Sequence, residues 1–386
     1  MGHLLFRGIE LLAAASAAAS IAYYVACIWA AIDFLRISKS PAGTAQFTPP
    51  ISVLKPLKGS DPEMYESFRS HCLQDYPEYE ILFGVSDPSD PTVPLVERLV
   101  AEFPAKSIRL VVCGDRLGAN TKVSNLARLA RECRFEHILV NDSDIRVEPD
   151  YLRRVVTPLQ HPGIGLVTCL YRGIAGPTLG SRLEALGIST DFCAGVLVAR
   201  QMEGIKFGLG STLAFRRREL NAIGGFEALV DYLADDYQLG KRIGAMGLNV
   251  ELSGVVVETF LPHYSPGSFF AHQLRWARTV RDSRFWGYVG LGVTFGFFWA
   301  LVALVSSRGA AWAWGLLAAT AVTRFAMALM VGRLVLRDRQ VPKHLWLIPL
   351  RDLLGFTIWV ASFVGHKISW RGEAFYLEKG KIVPDT

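Results

Sequence analysis

The chain has 386 residues, of which 51% are hydrophobic, a mean hydropathy of +0.27 and a formal charge of +6. That balance excludes an ordinary soluble protein and leaves room for one domain of usual size plus membrane segments. The basic residues gather beside apolar runs, which suits a bilayer with anionic headgroups and argues against nucleic acid as a partner. Six cysteines, at 27, 72, 113, 133, 169 and 193, show neither C-x-x-C nor zinc spacing and read as buried reduced thiols.

Residues 10–35 are an alanine-rich apolar run, longer than the roughly 20 residues that cross hydrocarbon. Tyr23, Tyr24 and Trp29 in the run, and Arg36 and Lys39 after it, favour an uncleaved anchor over a signal peptide. Few basic residues precede the run, whereas Arg36, Lys39, Lys55 and Lys58 come after it. The positive-inside rule therefore puts the chain beyond residue 36 in the cytoplasm. The organisation expected is an anchor at 1–36, a Pro/Gly/Thr-rich linker at 37–50 and a cytoplasmic domain at 51–265. An interfacial helix at 266–286, membrane segments at 287–366 and a tail at 367–386 complete it.

Within the domain, apolar runs at 51–57, 79–86, 108–113 and 138–141 read as buried strands, and 62–74, 92–103 and 121–131 as helices. This alternation predicts an α/β fold with a mostly parallel sheet flanked by helices. Beyond residue 150 the pattern is less regular. Strands are expected at 163–170, 210–215 and 249–257, with a helix at 232–246.

Acidic residues fall at strand ends. Asp87 and Asp90 come after the second strand, and Asp142 and Asp144 after the fourth, at the lip where open α/β sheets bind ligands. Two oxygen donors spaced this way suit a hard cation, Mg²⁺ or Mn²⁺; the plain alternative is an Asp-rich turn. Asp235 and Asp236 open a helix, where its dipole favours acids and where capping alone also explains them.

Residues 266–286 interleave Phe269, Phe270, Leu274, Trp276 and Trp286 with His272, Arg275, Arg278, Arg281 and Arg284, the pattern of a helix lying at a membrane surface. Spans are expected at 287–306 and 310–331. A further apolar stretch at 346–364 is interrupted by Pro349, Arg351 and Asp352. A full span there would put Lys367, Arg371, Lys379 and Lys381 outside, against the positive-inside rule. A re-entrant or interfacial segment, with Arg351 and Asp352 paired within protein, resolves the conflict.

The order Asp90, Asp142-Ser-Asp144, Asp236, then His272-Gln-Leu-Arg275-Trp276 resembles the family-2 glycosyltransferases of GT-A fold, over roughly residues 50–280. The phrases Leu54-Lys-Pro-Leu-Lys-Gly59 and Ala234-Asp-Asp-Tyr237 are similar to the ceramide glucosyltransferase branch. Lys122-Val-Ser-Asn-Leu126, Gly165-Leu-Val-Thr-Cys-Leu-Tyr-Arg172 and Trp370-Arg-Gly372 resemble the bacterial hopanoid-biosynthesis glycosyltransferases, which place N-acetylglucosamine on bacteriohopanetetrol. Two departures stand out. Position 272 is His where the signature has Gln or Arg, and Asp144 stands where animal ceramide enzymes carry Gly.

The resemblance implies a multi-pass enzyme of the bacterial cytoplasmic membrane that moves a sugar from a UDP-sugar donor to a lipid acceptor, a hopanoid or a ceramide, with inversion. It makes Asp236 the catalytic base, with Asp235 in support, and Asp142 and Asp144 the holders of a divalent cation. Asp90, Asp87, Lys122 and Asp142 would bind the donor, and His272, Arg275 and Trp276 would close over donor and acceptor. Lys122 also reads as a plain surface lysine, and Arg275 with Trp276 as a membrane-interface anchor. A processive polysaccharide synthase would need more spans. A transporter or binding module would carry its ionisable groups within the spans and not at strand ends.

Overall fold

A computed structural model describes residues 2–38, 47–370 and 373–384. Lys39, residues 40–46 of the expected linker, and Arg371 and Gly372 lie outside the described residues. One long helix, α1 (Gly2–Ser38), covers the first apolar run. The alternation then tracks the sequence pattern closely: β1 (Ile51–Pro56), α2 (Met64–Cys72), β2 (Tyr79–Val85), α3 (Val93–Glu102), β3 (Ser107–Val112), α4 (Thr121–Glu132) and β4 (His137–Val140). Next come β5 (Ile145–Arg146), α5 (Tyr151–Val156), β6 (Ile164–Ile174), α6 (Leu179–Gly187), α7 (Cys193–Glu203), β7 (Leu213–Arg216), α8 (Arg217–Ala222), α9 (Asp235–Ala245) and β8 (Asn249–Phe260). The remainder is helical: α10 (Pro266–Ser283), α11 (Phe285–Gly290), α12 (Gly296–Ser306), α13 (Ala311–Ala328), α14 (Val341–His344) and α15 (Ile348–Ser362). It ends in the short strands β9 (Lys367–Trp370), β10 (Glu373–Glu378) and β11 (Lys381–Pro384).

The chain divides into two compact units. One comprises residues 38–176, 203–262 and 380–386 and is built on an eight-stranded sheet of order β3-β2-β1-β4-β7-β6-β8-β5. Strands β3, β2, β1 and β4 run parallel, and β7 runs antiparallel to both β4 and β6. The register Ile51↔His137 to Leu54↔Val140 brings the C-terminal ends of β1 and β4 side by side. Both faces are covered, so Val53, Leu54, Ile81, Phe83, Leu139 and Val140 are all fully buried.

Strands β6 and β8 run past their expected ends. Arg172 and Glu258 pair across them at 2.7 Å, and such polar residues read as loop in a scan for apolar runs. Strand β7 starts later than expected, because residues 209–212 close a turn through Thr212 N–H to the Leu209 carbonyl at 3.0 Å.

The other unit comprises residues 1–37, 177–202 and 263–379. The segment 177–202, assigned from sequence to the 51–265 domain, forms α6, a five-residue π turn (Ile188–Phe192) and most of α7. The core here joins Leu183, Leu186, Phe269, Phe297, Ala328, Leu347 and Ile358.

Among the described residues, three helices are long and apolar enough to cross a membrane: Phe6–Ser38, Ala311–Val335 and Val341–Ser362. The stretch expected as a straight span at 287–306 is instead two helical pieces, Phe285–Thr294 and Gly296–Ser306, bent by 54°, the geometry of a broken span or re-entrant loop. The stretch expected to be re-entrant, 346–364, lies largely in one of the three long helices. What allows this is pairing of its charges inside protein. Asp352 accepts from Arg324 at 2.9 Å, and both side chains are fully buried. Arg351 donates to Gln273 at 2.9 Å and lies 3.5 Å from Asp191.

Candidate active site

Parallel packing of β1, β2 and β4 puts the loops at their C-terminal ends on one edge of the sheet, where the strand-end aspartates stand. Asp142 leaves β4 and its carboxylate meets Lys122 Nζ at 2.8 Å. Lys122 lies in the first turn of α4. Asn120 caps that helix by accepting from Val123 N–H at 3.2 Å, and donates to the Tyr232 carbonyl at 2.7 Å. This capping residue thus ties the start of α4 to the loop that delivers Asp235 and Asp236. Lys122 meets Asp235 as well, at 3.2 Å.

Asp236 is fixed by backbone. Its Oδ2 accepts from Gly210 N–H at 2.8 Å and its Oδ1 from Tyr237 N–H at 2.7 Å. Gly210 is where two carboxylates converge: a Cβ there would lie 2.8 Å from Asp142 Oδ2 and 3.4 Å from Asp236 Oδ2. Only glycine leaves room for that approach.

The cluster carries more negative than positive charge. Burial pushes the Asp236 carboxyl up to about 6, with Asp235 adding to the shift and Lys122 opposing it. Burial raises Asp235 too, again against Lys122. Lys122 is itself desolvated, yet the surrounding carboxylates hold it more firmly protonated than an ordinary lysine. A carboxyl poised near 6 is largely ionised at neutral pH yet more basic than an ordinary aspartate, which suits a general base.

Asp144 accepts a hydrogen bond from Thr259 Oγ1, and burial, then the charge of Asp142, pushes it up to about 6. Among the described residues no group of three or more His, Cys, Asp or Glu side chains is placed to hold a metal. Asp142 and Asp144 nonetheless fit a hard divalent cation of the Mg²⁺ type, which binds through one or two carboxylates and completes its shell with water and substrate phosphate. The charge of Asp142 that disfavours an ionised Asp144 is what such an ion relieves.

Asp90 accepts from Gly59 N–H at 2.9 Å and from Thr92 N–H and O–H at 2.9 and 2.7 Å. Burial opposes its charge, but these donors outweigh burial and hold its carboxyl below the ordinary range. The loop it grips also carries Asp61, which accepts from Ser143 between the two metal-type aspartates at 2.7 Å. Asp87 is exposed, and its Oδ1 closes a turn with Ser89 N–H and O–H at 2.8 and 2.7 Å. The turn gives Asp87 a structural role of its own.

His272, Arg275 and Trp276 belong to the other unit, on α10. There Arg275 Nη2 approaches His272 Nδ1 at 3.3 Å, and the His272 ring packs against Tyr264 and Trp276, with centroids 5.1 and 6.1 Å away. The structure therefore gathers Asp142, Lys122, Asp235 and Asp236 in one unit and the His-Arg-Trp set in the other.

Sequence reasoning missed Lys55. It is fully buried on β1 and donates to the Asp142 carbonyl at 3.0 Å; burial pulls its ammonium down to about 7 against the attraction of Asp144 and Asp142. One lysine inside an otherwise apolar strand was the available signal. Gly210 was read only as the start of a strand. Beneath the aspartates, Asn141 links His71, Tyr151 and the Ser211 carbonyl at 3.1, 2.9 and 2.6 Å, a buried polar network that fixes the exit of β4.

The chain is similar to known proteins. The family model described as glycosyl transferase family 21 matches residues 12–383. The chain is 26% identical to Ceramide glucosyltransferase 1 of Caenorhabditis elegans over 206 residues, 53% of this chain and 44% of the worm protein. It is 30% identical to the ceramide glucosyltransferase of Candida albicans over 121 residues, 28% of this chain and 22% of the yeast protein. The matches thus span less than half the length of these two curated relatives. Among solved structures, the mannosyltransferase PcManGT of Pyrobaculum calidifontis, in complex with GDP-Man and Mn²⁺, shares the fold. It has a TM-score of 0.55 and 21% identity, covering 92% of this chain and 98% of that one.

Proposed function

The chain belongs to glycosyl transferase family 21, and from that premise we propose that it transfers a sugar from a UDP-sugar to the hydroxyl of a membrane lipid, inverting the anomeric carbon. The observation that carries this is the convergence of Asp142 and Asp236 at Gly210, with Lys122 bridging Asp142 to Asp235. Asp236 takes the proton of the acceptor hydroxyl as that oxygen bonds to the anomeric carbon. The bond from that carbon to the diphosphate oxygen breaks, and the diphosphate leaves with the electron pair. Attack opposite the leaving group turns an α-linked donor into a β-glycoside.

Lys122 is a fixed cation on the leaving-group side, and Lys55 holds the Asp142 backbone in place. Asp142 and Asp144 would hold a divalent cation, Mg²⁺ or Mn²⁺, whose chemistry is Lewis-acid neutralisation of the departing diphosphate. Asp90 would hold the uridine part through the loop it organises; Asp87 is its expected helper. His272, Arg275 and Trp276 would close over donor and acceptor.

For the acceptor, the phrases around Lys122 and Gly165 support bacteriohopanetetrol, with N-acetylglucosamine as the sugar. Similarity to ceramide glucosyltransferases supports a second reading, glucose on ceramide. Spanning-type helices suit either lipid. The test is purified protein in detergent with Mg²⁺ or Mn²⁺, crossing UDP-glucose and UDP-N-acetylglucosamine against both lipids, with products read by mass spectrometry. A glycolipid is expected from one pair. Absence of product from every pair, with the protein folded, overturns the reading.

A further inference from the structure

In the unit that carries α10, His272 stands between two groups whose chemistry decides where its hydrogen sits. Arg275 is one turn along α10, and its Nη2 lies 3.3 Å from His272 Nδ1. A guanidinium can only donate, so Nδ1 must be the acceptor and carry no hydrogen. The single ring hydrogen is then on Nε2, 3.5 Å from Glu184 Oε1 on α6. A carboxylate accepts, so the two neighbours agree. Tyr264 OH, 3.4 Å from Nδ1, can donate to it as well.

Glu184 is buried and held in turn. Its Oε2 accepts from Gln273 Nε2, and Gln273 Oε1 accepts from Arg351 at 2.9 Å. The Arg351 guanidinium rests on Gly187, where a Cβ would come within 2.6 Å of it. Asp191 lies 3.5 Å from its Nε.

We propose that Glu184 is a positioning residue: its carboxylate, 3.5 Å from His272 Nε2, favours the hydrogen on that nitrogen and keeps Nδ1 bare, and the bare nitrogen aims Arg275. This rests on the reading of Arg275 as a closure residue, and it explains the departure at position 272. The ring, with one donor and one acceptor, does what the carboxamide of a signature Gln does and what an Arg side chain does not. Glu184 lies in the segment 177–202, to which the signature assigns no role.

Two measurements test it. In protein carrying isotope-labelled histidine, nitrogen chemical shifts report each ring's tautomer, and His272→Gln identifies the resonance of position 272 among the chain's eight histidines. The parent is expected to show hydrogen on Nε2 alone. Glu184→Gln can turn its amide N–H toward Nε2 and is expected to move the hydrogen to Nδ1. A parent ring with hydrogen on Nδ1, or no change in Glu184→Gln, overturns the proposal whether or not the enzyme turns over. Independently, in the glycosyl-transfer assay, Glu184→Gln is expected to lower kcat about tenfold to hundredfold, the range for a displaced catalytic group. His272→Gln supplies the background for a double variant, whatever its own rate, because its amide can rotate to serve both neighbours. In that background Glu184→Gln should then cost much less. Additive losses in the double variant indicate a merely structural role and refute the proposal. A parent with no turnover but the expected tautomer would count against the proposed function alone.

Discussion

Replacing Gly210 by alanine tests whether Asp142 and Asp236 act together. The added Cβ would lie 2.8 Å from Asp142 Oδ2, whereas ordinary contact begins near 3.4 Å, so the carboxylate or the backbone must yield by about 0.6 Å. Asp142 is not free to swing, since Lys122 holds it at 2.8 Å and its own N–H donates to the Gly210 carbonyl at 3.3 Å. Asp236 Oδ2, 3.4 Å from the same Cβ, is held by Gly210 N–H, so backbone movement disturbs the base as well. Overpacking of this kind costs about 1–3 kcal/mol of stability. A displacement of roughly 1 Å at reacting groups costs about 100-fold in rate, so half that shift predicts a fall in kcat of about tenfold. The assay is initial-rate glycosyl transfer at saturating donor, with a thermal-shift measurement to show that the variant is folded. Gly244→Ala, in α9 with nothing within 4 Å of its Cβ, is the control and should retain full activity. A Gly210→Ala enzyme with parental kcat would refute the convergence on which the mechanism is built.

Asp236→Asn should abolish turnover while donor binding, measured by calorimetry, persists; parental activity would remove Asp236 from the base role. Because burial raises that carboxyl to about 6, its ionised fraction falls as pH drops through 6. The acid limb of kcat should therefore centre near pH 6 for the Asp235/Asp236 pair, and a limb near pH 4 would contradict the environment described. Lys55→Met should fold, since removing a desolvated cation relieves a burial cost, but should lose about tenfold or more in kcat/KM as the Asp142 backbone loses its donor. Parental kcat/KM in Lys55→Met would show that the lysine is structural only. Arg324→Leu should destabilise by about 3–5 kcal/mol, seen as a lower unfolding temperature in detergent, because buried Asp352 loses its paired cation and Asp191 keeps only Arg351 at 3.5 Å. Arg324→Leu with Asp352→Leu should recover part of that loss; a double variant less stable than the single one would contradict the pairing.

The alternation over residues 51–141 was legible in the sequence because a buried parallel strand is a short apolar run and each crossover helix is amphipathic, both local properties. The strand-end position of Asp142 and Asp144 came directly from that. So did the long N-terminal helix and the apolar character of the C-terminal stretches. Tertiary structure decided what local pattern does not encode. Lys55 looked like a juxtamembrane charge until the β1–β4 register set it beside the Asp142 loop. Gly210 looked like a strand residue until carboxylates from β4 and α9, far apart in sequence, met at its Cα. The helix break at Phe295 bends the first of two apolar stretches, and the second is continuous over 341–362. Hydropathy counts Arg351 and Asp352 as interruptions, whereas burial beside Arg324, Asp191 and Gln273 neutralises them. Periodicity reports which side of an element is buried; which charges face one another is settled only when elements distant in sequence pack together.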